Sequence, residues 1–485
     1  MKEINLRWGL LAYFLLPYAF FLYFFRSSVE LNLTDIVWAL RNSLFQSTVA
    51  AAITLLLAVP FSLGLLSVSE KKRPLITLLL LIPQIMPSLF TLLIVFSIIN
   101  PFPMGATGII IVFVTVNLGF ATVLLHQAAR EKLGNFATVA EVFGLGRLKF
   151  FTKVYLPILL SDLRSIFFLI FVFCISSFSI PLIAGGGKGT NLEVLIYEKI
   201  FIEQNWAAAF SVCVFQTLFV FILSYFLVHN PNRSQGKFTD SAFLKSKTGL
   251  IGLVLYLSIY LGGYIAGLFQ SFDQLDFLKK YSDDLGVVTL FSLQALTLYI
   301  ILNVCLLLLW LSDYLKHKSF NPARNLISVS TVVVGFSVYL VFPVSARYDV
   351  IKMLLAMTVI VFPATFKLFL QKPVENLHRQ LLVAEVFGLS KFTVIGQVIV
   401  RQLKNPLLLW LSVLVLWFLS DYAILKAVGV QSQTLGLLSE SYLSSYRLPL
   451  SYLVSLYIIL LSVLFVSTVY LLIKGLHVVY KKSAF

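Results

Sequence analysis

Val139-Ala-Glu-Val-Phe-Gly-Leu145 and Val383-Ala-Glu-Val-Phe-Gly-Leu389 are the same seven residues, set 244 positions apart in a chain of 485. That shift is close to half the length, so the copies fall at matching places in two near-equal halves. Both interrupt long apolar stretches with polar residues, and basic residues follow each of them. A repeat of this kind settles organisation before any single element is assigned. One membrane unit has been duplicated, and each half keeps the same short cytoplasmic segment.

Composition supports a membrane unit. Apolar residues make up 59% of the chain and charged residues 12%, against roughly 25% charged in ordinary soluble domains. Mean hydropathy is +0.94. Apolar runs of about 20 residues, enough for a helix to cross ~30 Å of hydrocarbon, recur along the whole sequence. They predict spans at 8–25, 43–67, 75–99, 108–126, 165–183 and 206–228 in the first half. In the second half they predict spans at 249–268, 286–311, 326–343, 349–370, 406–425 and 449–473. The fold class expected is an all-α polytopic membrane protein of about twelve transmembrane helices in two parallel six-helix repeats.

Lys and Arg set the orientation. They gather in alternate connections: Lys2 and Arg7, Lys71-Lys72-Arg73, Arg130 to Arg164, Arg233 to Lys247, Lys316 to Arg324, Lys367 to Lys404, and Lys481-Lys482. The opposite connections are short or acidic, with Asp273, Asp276, Asp283 and Asp284 on the longest. Both termini are therefore expected in the cytoplasm. The net charge of +16 follows from this bias and does not call for nucleic acid, which would need a soluble basic face. The first apolar run ends at Phe24-Phe25-Arg26 without a small-x-small cleavage pattern, so an uncleaved first span is expected. Cys174, Cys213 and Cys305 fall inside predicted spans, far apart and without His partners, which suggests neither a metal site nor a disulfide framework.

Residues 229–248, where Asn, Pro, Ser and Gly occur, read as an irregular cytoplasmic linker. The domains expected are thus 1–228 and 249–485, each with about six spans. An even number of spans per half makes the repeats parallel, related by an axis along the membrane normal. The longest cytoplasmic loop lies between the fourth and fifth spans in both. In the first copy the segment from Ala137 to Pro157 has helical spacing. Gly144 would permit close approach of another backbone, and Pro157 would favour a break before the next span. A short helix along the membrane surface with a Gly against a partner is a docking device. A plain amphipathic interfacial helix would read the same way, and the two-fold repetition favours a two-fold partner.

The pattern Ala140-x-x-x-Gly144, nine residues, Val154-x-Leu156-Pro157 resembles the cytoplasmic signature of permease subunits of binding-protein-dependent ABC importers. Thr138 and Val139 stand where that signature has Glu and its first Ala. In the second copy Ala384, Gly388 and Val398 fit, while Leu382 replaces the Glu and Val400-Arg401 replaces Leu-Pro. The resemblance covers both halves, fused in one chain. It implies a coupling contact with an ATPase dimer through Ala140, Glu141, Gly144, Leu156 and Pro157 and through Ala384, Glu385 and Gly388. It also implies a solute-binding protein on the outer side and a bacterial inner-membrane location.

No phosphate-binding loop is present in the sequence. The nearest approach, Gly185-Gly186-Gly187-Lys188-Gly189-Thr190, places Gly189 between the Lys and the Thr. The chain itself is expected to be non-catalytic and free of cofactors, with ATP and Mg²⁺ held by partner subunits. Residues 180–197, with Gly-Gly-Gly followed by Thr190, Glu193 and Ile196-Tyr197, resemble the loop after the fifth span in fused thiamine and ferric-iron permeases. Leu419-Ser-Asp421-Tyr422 and Ser445-Tyr446-Arg447 are similar to the thiamine branch. Thiamine is therefore the first expectation for the solute and ferric iron the second. Asp421 lies in the eleventh span and matches Ser177 under the repeat; intramembrane carboxylates tend to face a pathway, although a hydrated outer mouth would also hold one. A twelve-span secondary transporter driven by an ion gradient fits the length and parallel repeats equally well. Its Gly- and Arg-rich segment between the second and third spans is missing, since only Ser69-Glu-Lys-Lys-Arg-Pro74 stands there.

Overall fold

The computed structural model describes residues 5–24, 33–227, 245–276, 282–317, 331–343, 345–388, 394, 399 and 402–483. Every regular element among them is helical. The helices of the first half are α1 (Asn5–Phe24), α2 (Leu33–Leu66), α3 (Arg73–Ile85), α4 (Ser88–Ile98), α5 (Ala106–Val142), α6 (Arg147–Phe150), α7 (Leu156–Ile175), α8 (Ser179–Ala184), α9 (Leu192–Phe201) and α10 (Trp206–Leu227). Those of the second are α11 (Lys247–Ser271), α12 (Ser282–His317), α13 (Thr331–Val341), α14 (Asp349–Thr365), α15 (Gln371–Asn376), α16 (His378–Val386), α17 (Lys404–Ser420), α18 (Ala423–Val428), α19 (Leu435–Ser444) and α20 (Leu448–Ser483). The expected linker lies mostly outside the described residues, as do Leu389 and the second copy's Val398 and Val400-Arg401.

Each of the twelve expected spans meets an apolar helix, but not all of those helices are straight and full length. Among the described residues, seven are long and apolar enough to cross a membrane by themselves, and four apolar helices are shorter: Leu6–Pro17, Trp206–Gln216, Thr331–Val341 and Lys404–Ser420. The third span is broken, because α3 and α4 meet at 95°. Its break follows from the sequence Met86-Pro87. A residue before proline is driven out of the helical region, and Met86 is extended at φ −65°, ψ 144°. Hydropathy registers composition along a window and is blind to such a bend.

The helices pack into two compact units, and these do not follow the sequence halves at the first spans. One unit holds α2 to α9, α10 from Ser211, and α11 to Gln270. In it α11 is bound to first-half helices: the Tyr256 hydroxyl donates to the Thr115 carbonyl at 2.8 Å, and the Thr91 and Tyr260 hydroxyls lie 3.0 Å apart. A Cβ on Gly249 would fall on the Pro60 carbonyl oxygen, and one on Gly64 on the backbone of Gly249. Only residues without side chains allow α2 and α11 to approach so closely.

The other unit holds α1 with the helices from α12 onward. Phe14 of α1 is fully buried there, edge-on to Trp310 at 5.6 Å and stacked with Phe362 at 5.9 Å. Each first span thus joins the core that contains the later spans of the opposite half.

The fifth span of each half also ends in a break and a short returning helix. Asn191 caps α9 by accepting the Val194 N–H at 2.9 Å, and Thr434 caps α19 by accepting from Leu437 at 3.3 Å. A serine on the second-span helix then fixes each helix start. Ser43 accepts the Leu192 N–H at 2.9 Å, and Ser292 accepts the Leu435 N–H at 3.2 Å. The Gly-rich loop before α9 is held by α2 as well: Gln46 donates to the Gly189 carbonyl and Asn42 to the Thr190 carbonyl.

Candidate functional site

The duplicated heptapeptide forms the C-terminal end of a helix in both units. In the first copy the last turn of α5 closes in a Schellman arrangement, in which the Leu145 N–H donates to the Ala140 carbonyl at 2.9 Å and the Gly144 N–H to Glu141 at 3.2 Å. This closure needs a left-handed residue just past the helix, and Gly144 supplies it at φ +63°. The spacing Ala-x-x-x-Gly is therefore the spacing between the third-last helical carbonyl and the left-handed position. Gly388, just past the end of α16, takes the same left-handed conformation at φ +66°. At neither glycine would an added Cβ meet anything within 4 Å. Close backbone approach inside the chain is not the reason for glycine here; the conformation is.

A separate surface helix over 137–157 is not what forms. α5 runs unbroken to Val142, turns through residues 143–146, and the chain then re-enters the same unit. From Arg147 to Ile175 it is one continuous rod, so the expected break before Pro157 is also corrected. A π-helical turn at Phe151–Tyr155 absorbs the proline, with the Leu156 N–H donating to the Phe151 carbonyl five residues back. The wider turn makes room at the position where a proline lacks its N–H and crowds the preceding turn. Leu156 and Pro157 therefore sit nine residues along this rod, roughly 13 Å from the tip at 1.5 Å per residue. They are not part of the tip surface.

Burial separates the tip residues into two sets. Ala140 and Ala384 face inward. Glu141 is exposed and makes a further interaction, and Glu385 lies within α16. The outward surface is apolar: Val142 and Phe143 are 79% and 82% exposed, and Val386 and Phe387 are 86% and 76% exposed. Val139 and Val383 lie open beside them. Two valines and a phenylalanine held out at a capped, glycine-terminated helix end are an unpaired hydrophobic knob, present twice with matched exposure. Sequence reasoning fixed on Ala, Glu and Gly and passed over these side chains. The signal was available, since an apolar Val-Phe pair kept identical in both copies of an otherwise polar segment has no reason to face water.

Ser177 and Asp421 each lie at the break after the long helix of the fifth span, in separate units. The Ser177 carbonyl accepts from the Asn191 side chain at 2.8 Å. Asp421 ends α17 and caps α18, its Oδ1 accepting the Ile424 N–H at 2.8 Å. Nearby, Asp349 binds the loop that follows α18, its Oδ2 accepting the Gln431 and Ser432 N–H groups at 3.0 and 2.7 Å. In the corresponding loop of the first half, Gly186, Gly187 and Lys188 are exposed.

Residues 36–235 match the family model of the binding-protein-dependent transport system inner membrane component. The match lies within the first half, and the apolar helices along the chain make it a multi-pass membrane protein. Among curated proteins, the thiamine transport system permease of Brucella abortus (strain 2308) is 25% identical over 231 residues, 44% of this chain and 42% of that protein. The thiamine transport system permease of Escherichia coli (strain K12) is 32% identical over 115 residues, 24% of this chain and 22% of its own length. That of Haemophilus influenzae (strain ATCC 51907 / DSM 11121 / KW20 / Rd) is 30% identical over 133 residues, 26% of this chain and 25% of its own. Each match spans less than half the length of the relative.

Proposed function

We propose that this chain is the fused transmembrane subunit of an ATP-driven ABC importer, with both termini in the cytoplasm and thiamine as the solute. The observation that carries the reading is the pair of identical, exposed Val-Phe knobs at Gly144 and Gly388. Identical knobs fit identical sockets, so the partner is a dimer of one ATP-binding subunit. ATP and Mg²⁺ belong to that dimer, and its closure draws on the two knobs; this chain supplies the path and no catalytic group. A solute-binding protein delivers the cargo at the outer face. Thiamine is preferred to ferric iron because the relatives that match are thiamine permeases.

Ser177 and Asp421 line the path in this reading. Non-helical backbone at membrane depth is tolerated where it lines a cavity or is buried in protein, and both residues sit at such breaks. The Asp421→Asn variant keeps an oxygen for the Ile424 N–H and removes only the charge. It should fold normally and take up a cationic solute more slowly; unchanged uptake would remove Asp421 from the path.

The test of the whole reading is a mild-detergent pull-down of the tagged chain followed by vesicle uptake of labelled thiamine with and without ATP. A copurifying ATPase and ATP-dependent uptake are expected. An ATPase without thiamine uptake would bring ferric iron forward. No ATPase, with uptake that collapses when the proton gradient is dissipated, would leave an ion-driven transporter instead.

A further inference from the structure

The two knobs are alike, but the helices that carry them are not. In the first half α5 is a single helix of 37 residues with no proline inside it. Ten residues before its end, Lys132 Nζ lies 2.6 Å from Asp162 Oδ2 of α7. The side chains are 15% and 11% exposed. Around them Ala129, Leu133 and Leu159 are fully buried. A largely buried, hydrogen-bonded ion pair is strongly disrupted when one partner is removed, so this pair pins the shaft of the first knob to the rod that leads away from it.

The second half has an interrupted shaft instead. α14, the π-helical turn at Phe366–Leu370 and α15 form one continuous helix from Ala346 to Asn376. At Leu377 the ladder breaks, because its N–H turns to the Val374 and Glu375 carbonyls. α16 then restarts and runs to the second knob. Under the 244-residue shift Lys132 corresponds to Asn376 and Asp162 to Pro406. The tie is therefore replaced, at the same level of the shaft, by residues that cannot form an ion pair and by a break in the helix.

We infer that Lys132 and Asp162 are a positioning pair that makes the first knob a stiff lever, while the second knob is carried on a hinged one, so that the two halves transmit partner closure unequally. The inference rests on the docking role of the knobs. The tips stay identical because the sockets are identical; the shafts differ because each answers only to its own half.

Hydrogen exchange on the full chain in nanodiscs tests the mechanical part without any partner. Amides of 374–381 should exchange on the order of tenfold faster than those of 130–137, as expected where the ladder is broken. Equal protection would overturn the inference. With the ATPase bound, Lys132→Gln should lower thiamine uptake per ATP hydrolysed several-fold without loss of copurification, and the charge exchange Lys132→Asp with Asp162→Lys should restore it. An unchanged ratio in Lys132→Gln, or no rescue by the exchange, would show that the pair only supports folding. Phe143→Ala and Phe387→Ala should weaken partner binding equally and uptake unequally; equal uptake losses would also overturn the inference. Absence of a copurifying ATPase would instead defeat the docking reading and leave the exchange result standing.

Discussion

Truncation of the knobs offers a direct measure of what the exposed tips do. Phe143 and Phe387 are 82% and 76% exposed, so folding has already left most of each ring in water. Phe→Ala at such sites should change the stability of the isolated chain by no more than about 0.5 kcal/mol, the range for ordinary surface positions. A socket that swallowed a ring would recover roughly 2 kcal/mol, within the 1.5–3 kcal/mol for full burial of a phenylalanine side chain. At 1.4 kcal/mol per tenfold, the loss is roughly 30-fold in affinity for each tip. The tips lie on separate helices, so the double variant should lose on the order of 10³-fold if the losses add. The assay is titration of a labelled ATP-binding subunit onto the chain in nanodiscs, beside a thermal melt of the chain alone. A change of less than twofold in the double variant, at an unaltered melting temperature, would refute the argument that these rings are the docking surface.

Other expectations follow from the geometry. Gly144→Ala places a Cβ at φ +63° and should cost roughly 1–2 kcal/mol, the penalty of the left-handed region. Gly146→Ala, at φ −62°, should be nearly silent in the same denaturation assay, and equal effects would contradict the capping role. Gly249→Leu sets a side chain against the Pro60 carbonyl and should destabilise the unit by at least the 1–3 kcal/mol typical of overpacking. Gly9→Ala, which meets nothing within 4 Å, is the control for that change. Burial holds the Glu198 carboxyl above its ordinary range, and repulsion from Glu203 and Asp35 outweighs the pull of Lys199. The folded state therefore keeps this proton longer than the unfolded chain, and stability falls as pH rises from the ordinary glutamate range through the raised value. Glu198→Gln should be more stable than the parent at about pH 8 and indistinguishable at about pH 4; a gain that persists at the lower pH would assign it to packing instead.

Much of the site was legible because its causes are local. A helix end with a left-handed cap leaves Ala and Gly four apart, and that spacing marks the position in the sequence. The cap itself is not legible there, since φ belongs to the backbone and a glycine required for conformation looks the same as one required for contact. Val142 and Phe143 were overlooked for a related reason: exposure depends on what packs against a residue. Lys132 and Asp162 are 30 residues apart on different helices, and nothing in either neighbourhood announces their meeting.

By itself the sequence determined the helical class, the duplicated plan and the places of the apolar helices, because partition into a bilayer depends on side chains summed over a short window. It could not decide which helices share a core. Lipid and helix surfaces are similarly apolar, so association rests on close backbone approach and a few hydrogen bonds. Contacts such as Gly64 with Gly249, or Phe14 against Trp310, join residues that are distant in the chain. Only the tertiary structure showed that the first spans change places, that the third is bent, and that two identical knobs stand on unlike shafts.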